Sequence, residues 1–271
     1  FPTRRSSDLL SMGNSLTVGG ASNITILGVI SNGGNLTKEG ISTSVLTLSG
    51  NNATYSGSIV ASTGSGILLV NNANALGTTA WNTTLNPGSV LQLSGAAAMT
   101  IAEPFVINGT GINNDGIIRN LSGTGLNVLT GTINVLGNSR INNDGTNLLT
   151  FQTGAITNTG GLLIGGVGNI SMSNAISAAG GITKDSTSIL TLSGANTYTG
   201  VTTINAGVIA VKSSGALGNN VNAAYNTIVK SGAALQIDGA SLTIPETITI
   251  SGTGINSDGV IRNMSTSTGT N

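Results

Sequence analysis

The 271-residue sequence contains no cysteine and no histidine. Without cysteine there are no disulfides and no thiol chemistry; without histidine, His-based triads and many metal sites are excluded. Charge is scarce too: charged residues make up 7 % of the chain, against a usual share of about 25 %. The nine basic and nine acidic residues cancel, and they lie scattered, so there is no basic stripe for phosphate and nucleic acid is excluded as a partner. No apolar run approaches the roughly 20 residues that span a bilayer. Beyond Phe1 the aromatics are Tyr55, Trp81, Phe105, Phe151, Tyr198 and Tyr225. These are too few to fill two or three sandwich cores. Small aliphatics must do the packing, which suits thin, regularly stacked layers.

What is abundant is glycine, with 41 residues, and asparagine, with 33, beside a hydrophobic share of 38 %. That share supplies enough apolar surface for a core, so the low complexity does not read as disorder. The chain also repeats itself. LTVGGASNITILGVISNGGNLTKEG at 16–40 returns as LLIGGVGNISMSNAISAAGGITKD at 162–185. Leu46-Thr47-Leu48-Ser49-Gly50 recurs as Leu190-Thr191-Leu192-Ser193-Gly194, and Ala75-Leu76-Gly77 as Ala216-Leu217-Gly218. The tightest match sets GTGINNDGIIRN at 109–120 against GTGINSDGVIRN at 252–263. Two copies that differ by small insertions indicate stacked similar units rather than a globular enzyme domain. Residues 10–271 thus read as one continuous β-solenoid of two homologous modules, about 16–161 and 162–271, the second truncated. FPTRRSSDL at 1–9 matches neither copy and resembles a translated sequencing adapter. With Phe1 in place of an initiator Met, the chain reads as a fragment.

The local pattern is all-β. Leu190 and Leu192 alternate with Thr191 and Ser193, Leu235 and Ile237 with Gln236 and Asp238, and Ile248 and Ile250 with Thr247 and Thr249. Such period-two runs are strands with one face buried. Clusters of Gly, Asn, Asp and Ser between them are turn formers that tolerate left-handed backbone. Tandem antiparallel sandwiches share this spacing, but the long repeat, sparse aromatics and abundant asparagine favour an elongated parallel β-solenoid. Rungs of roughly 20–25 residues would give about eleven to thirteen turns, with asparagine and threonine laddering along the axis. Equivalent residues such as Leu48 and Leu192 should then occupy the same angular position around one axis, both pointing inward.

Residues 190–218, LTLSGANTYTGVTTINAGVIAVKSSGALG, resemble the autotransporter-associated β-strand repeat, also called the passenger-associated transport repeat. The first copy, 46–77, is looser: Tyr55 and Gly57 hold while SIVASTGSGILLV replaces the Thr-Thr-Ile-Asn-Ala-Gly run. The resemblance implies a right-handed parallel β-helix, the secreted passenger of a type V system, threaded outward through a C-terminal outer-membrane β-barrel of the same parent chain. It further implies a bacterial cell-surface location, an adhesin-like stalk without enzymatic activity, and partners among host or cell-surface glycans or proteins. A chain without disulfides and with few charges suits this route, because it can cross unfolded and condense rung upon rung.

No catalytic, cofactor-binding or metal-binding residue is assigned. The Asn-Asp-Gly sites at 113–116 and 142–145, and Ser257-Asp258-Gly259, read as turns with their own Asx hydrogen bonds; calcium arrays need close tandem Gly-Gly-x-Gly-x-Asp units. Asp115 with Arg119, and Asp258 with Arg262, read as surface ion pairs or turn braces. A carbohydrate-active β-helix, lyase or hydrolase, is the competing reading and would need carboxylates brought together across rungs. Glu103 beside Pro104 and Glu246 beside Pro245 hold equivalent places in the two copies, which marks them as a recurring structural corner instead. No Gly-x-Ser-x-Gly elbow occurs, and three or more charged side chains are not expected to converge in a groove.

Overall fold

The computed structural model describes residues 9–121, 125–219 and 226–265. Nearly all of the segment assigned to the adapter therefore lies outside the described residues. The chain winds into a parallel β-solenoid. An eleven-stranded sheet runs from Ile24–Ile26 to Ile248–Ile250, one eight-stranded sheet from Leu16–Val18 to Ile176–Ser177, and another from Met99–Ile101 to Ile261–Asn263. A short two-stranded sheet pairs Leu10–Ser11 with Ile30–Ser31. The single short helical element among the described residues is the 3-10 turn Ile255–Ser257.

Strands are mostly three residues long with an in-out-in burial pattern, as in Leu36–Lys38, Ile59–Ala61 and Phe105–Ile107. This pattern follows from the alternation of side chains across a strand. Leu46, Leu68 and Leu91 stack in register on the inside of the long sheet and are essentially inaccessible. Each such leucine contributes about 1.5–3 kcal/mol by leaving water. Outward threonines also stack in register, Thr17 on Thr37, Thr25 on Thr47 and Thr183 on Thr203. The turns vary in length more than the sequence pattern suggests. Leu190 returns to its partner Ile209 by a short path, whereas the path from Met99 to its partner Asn127 is nearly half as long again. The long turn carries the Gly-Thr-Gly-Ile-Asn excursion at 109–113, which extends the corner without disturbing the inward residues on either side.

One expectation is corrected. Leu48 and Leu192 both point inward with no exposure, but they lie on different faces. Val45–Leu48 belongs to the eleven-stranded sheet and Ile189–Leu192 to the eight-stranded sheet that starts at Met99–Ile101. The shift is systematic. Leu36–Lys38 lies in the first eight-stranded sheet and its counterpart Ile182–Lys184 in the long sheet; Ile118–Asn120 lies in the long sheet and its counterpart Ile261–Asn263 in the second eight-stranded sheet. The cause is arithmetic in the winding. From Leu16–Val18 to Ile156–Asn158 the chain makes six turns, and Ile156–Asn158 then adds one further strand before the second module begins at Leu162–Gly165. The repeat restarts one face on.

The long sheet is continuous, and the loops fall on the sides of the two eight-stranded sheets, where a module uses a loop instead of a strand. In the first module the loops holding Tyr55 and Ala75-Leu76-Gly77 occupy the third side; in the second, those holding Tyr198 and Ala216-Leu217-Gly218 do. Gly77 and Gly218 adopt φ of 99° and 97°, and a Cβ on either would stand 2.5 Å from the carbonyl oxygen of Tyr55 or Tyr198. Glycine is required at both by conformation and by space.

Candidate functional site

Polar side chains enter the solenoid at its corners, and the same corners recur in both modules. Asn52 accepts a hydrogen bond from the Ile30 N–H (2.7 Å) and donates to the Ala75 carbonyl (2.6 Å). Asn196 does the same with the Ile176 N–H (2.9 Å) and the Ala216 carbonyl (2.6 Å). Each buried asparagine clamps three successive turns on the loop side, satisfying backbone groups that no strand pairs there. A second buried ladder runs from Asn127 to Asn120 and on to Asn143, each bond 2.8 Å.

Two lysines are buried at repeat-equivalent strand ends. Lys184, fully buried, donates to the carbonyls of Asp185 (2.6 Å) and Ser186 (2.7 Å). Lys38, 2 % exposed, donates to Ser44 Oγ (3.1 Å), to the Glu39 carbonyl (3.2 Å) and to the Ser65 carbonyl. Burial lowers the pKa of both, that of Lys184 to about 8, with neighbouring Asp185 opposing the shift and Arg140 reinforcing it. The sequence carried a signal for them, the recurring Thr-Lys-acid triplet, in which lysine falls two positions after an inward Leu36 or Ile182.

Glu103 and Glu246 do occupy equivalent corners. Thr83 Oγ1 donates to Glu103 Oε1 (2.9 Å) and Thr227 Oγ1 to Glu246 Oε1 (2.6 Å). The other carboxylate oxygen of each is buried without a hydrogen-bond partner among the described residues. Desolvation pushes Glu103 up to about 8 and Glu246 up to about 7, against the opposing hydrogen bond from threonine. Tyr55 and Tyr198 pack inside the same modules; Tyr198 shares a 2.7 Å hydrogen bond with Thr202, while Tyr55 donates to the Ser58 carbonyl (3.0 Å). The difference follows from Ile59 standing where the second module has Thr202.

On the outside, the ion pairs read from the sequence form: Asp115 with Arg119 at 3.3 Å and Asp258 with Arg262 at 3.0 Å. In both loops the Asp N–H returns to the carbonyl of the isoleucine three residues earlier, Ile112 or Ile255. Asn143 Oδ1 accepts from the Gly145 N–H (3.2 Å), an Asx turn. The sequence reading paired Arg119 with Asp115 only; Asp144, in the turn at 142–145, joins it as well at 2.7 Å. Three charged side chains therefore converge, though not in a groove, because Arg119 is stacked beside Asn142 of the next turn, two residues before Asp144. They sit on the outward side of the long sheet. The open trough of about 390 Å³ lies elsewhere, along Asn138, Thr159, Leu163, Thr183 and Thr203 over glycine backbone. Arg140 was also missed: it is 8 % exposed and grips Asp185 through two hydrogen bonds of 2.6 and 2.7 Å. This clip passes over Gly165, where a Cβ would lie 2.2 Å from an Arg140 guanidinium nitrogen. It ties the last strands of the first module to the second.

Among the described residues no group of three or more acidic side chains is placed to hold a metal ion. The recurring asparagines Asn52 and Asn196 and the buried ammonium of Lys184 bond to backbone and close turns.

Comparison with known proteins agrees with this architecture in one place. No curated protein and no solved structure matches the chain. The family model of the passenger-associated transport repeat matches residues 182–211, spanning Ile182–Lys184, Ile189–Leu192, Thr202–Ile204 and Gly207–Val211. The turn built on Asn196 and Tyr198 is thus a match to the passenger-associated transport repeat, overlapping the segment that carried this resemblance in the sequence.

Proposed function

We propose that the chain is part of the β-helical stalk of an autotransporter passenger, displayed outside a bacterial cell and adhesive rather than catalytic. The observation that carries this reading is the repeat match at 182–211 seated within a continuous stack of parallel turns. Each turn rests on its neighbour, so the chain can emerge from a pore in extended form and fold progressively from the leading end. The absence of cysteine removes premature disulfide locking. Adhesion would use the outward faces and corner loops, with glycans or proteins of a surface as ligands.

The test is to place residues 10–271 between an export signal and an outer-membrane β-barrel translocator, then treat intact cells with protease. Surface cleavage of the solenoid supports the proposal; a chain that stays protected in the periplasm while the barrel inserts overturns it. The non-catalytic part is tested with a panel of polysaccharides. No product is expected, and product whose formation is lost in Asp144→Asn would replace the stalk with an enzyme built on Asp115, Arg119 and Asp144.

A further inference from the structure

Several corners carry asparagine followed two positions later by threonine or serine. In an extended segment residues i and i+2 point to the same side, so at such a corner the amide and the hydroxyl share one face. Asn23, Asn35, Asn82 and Asn169 are exposed, and each immediately precedes a strand: Ile24–Ile26, Leu36–Lys38, Thr83–Leu85 and Ile170–Met172. The partners Thr25, Thr37, Thr84 and Ser171 are the middle, outward residues of those strands.

At three of these corners the side-chain carbonyl is already used. Asn23 Oδ1 accepts from the Val45 N–H (3.0 Å), Asn35 Oδ1 from the Ser58 N–H (3.2 Å) and Asn169 Oδ1 from the Ile189 N–H (2.9 Å). The donor in each case belongs to the following turn. The carbonyl end thus braces the stack, whereas the amide nitrogen makes no hydrogen bond with the described residues. A substituent on that nitrogen would leave the corner's bond intact. Asn52, followed by Ala53 and Thr54, has the same spacing but the opposite environment: it is 1 % exposed and both ends of its amide are engaged.

We propose that Asn23, Asn35, Asn82 and Asn169 are acceptor sites for N-linked sugar. The co-substrate is a sugar activated as a glycosyl diphosphate. The asparagine nitrogen forms a bond to the anomeric carbon, the bond from that carbon to the phosphate oxygen breaks, and the diphosphate leaves with the electron pair. The amide proton passes to a base of the transferase. The Asn-x-Ser/Thr pattern is the general acceptor pattern for this modification; here the fold decides which copies are available. The inference does not rest on the secretion route.

The experiment incubates the folded chain with a soluble asparagine glycosyltransferase and UDP-glucose, and maps hexose by peptide mass spectrometry. The expected result is hexose on Asn23, Asn35, Asn82 and Asn169 and none on Asn52, with Asn52 becoming modified once the chain is unfolded in urea. Four bare asparagines, or Asn52 modified as fast as they are in the folded chain, would overturn the proposal. The variant Thr25→Val/Thr37→Val/Thr84→Val/Ser171→Ala replaces each threonine hydroxyl with a methyl group and removes that of the serine. It is expected to keep its circular dichroism spectrum and lose the label at those four sites; a label retained there would also overturn it.

Discussion

Leu48 and Leu192 stand at the same place in two copies of one sequence, are equally buried, and face the axis from different sides of the solenoid. The first module builds its loop side where the second eight-stranded sheet later begins, and the second module builds it where the first eight-stranded sheet has ended. Asn52 and Asn196 keep the same hydrogen bonds at closely similar lengths despite this rotation (2.7 against 2.9 Å, and 2.6 Å for both). The comparison teaches that a turn is specified by its inward residues and its corners, and that the three faces are interchangeable hosts for it. A solenoid needs each rung to fit its neighbour; nothing requires a repeat to close a whole number of turns.

The hardest way to break that equivalence is to charge the core on each face. Leu48→Asp and Leu192→Asp should each cost more than about 4 kcal/mol, since each places an unpaired carboxylate among apolar side chains. Hydrogen exchange on the full chain should show protection collapsing around the substituted turn in each case. A large loss from one and a small loss from the other would mean that the faces are not interchangeable. Next in size are Asn52→Ala and Asn196→Ala. Each strands a buried N–H and a buried carbonyl, with an expected loss of about 2 kcal/mol. The Ile30 amide should lose protection in the first variant and the Ile176 amide in the second.

The pH response should be smaller and also shared between modules. Both glutamates have folded pKa values above the ordinary 4.5, about 8 for Glu103 and about 7 for Glu246. Between 4.5 and these values the folded chain holds protons that the unfolded chain has released, so stability falls as pH rises. It is full below about pH 4.5 and is lost through about 7 to 8. Thermal melts in Glu103→Gln/Glu246→Gln should flatten over that window; an unchanged slope would contradict the buried, neutral state of these carboxyls. Smallest of all, Thr191→Asp on the outward side should shift stability by no more than about 0.5 kcal/mol, with loss comparable to Leu192→Asp contradicting the inward assignment.

Much of this was legible in the sequence. Alternation of Leu190 and Leu192 with Thr191 gives the buried face, and the repeat gives the stack, because both are properties of single strands and of recurring corners. The face shift was not legible, since the in-out pattern of Leu46–Leu48 is the same on any side. Nor was Arg140, whose partner Asp185 lies two turns on and reaches it only because Gly165 leaves room between them. Asn52 and Asn196 look like ordinary turn formers; their role depends on what the turns before and after present to them.

The rotation of the second module is tested most directly by cross-linking, which the absence of cysteine makes clean. Thr157 pairs with Ser177 on the first eight-stranded sheet, with the strand spacing of about 4.8 Å that a disulfide spans. The variant Thr157→Cys/Ser177→Cys should therefore oxidise to an intramolecular disulfide, while Asn134→Cys/Leu163→Cys should not, because Leu163 pairs with Arg140 on the long sheet. Cross-linking of 134 with 163 and none of 157 with 177 would place the second module on the same face as the first and contradict the account.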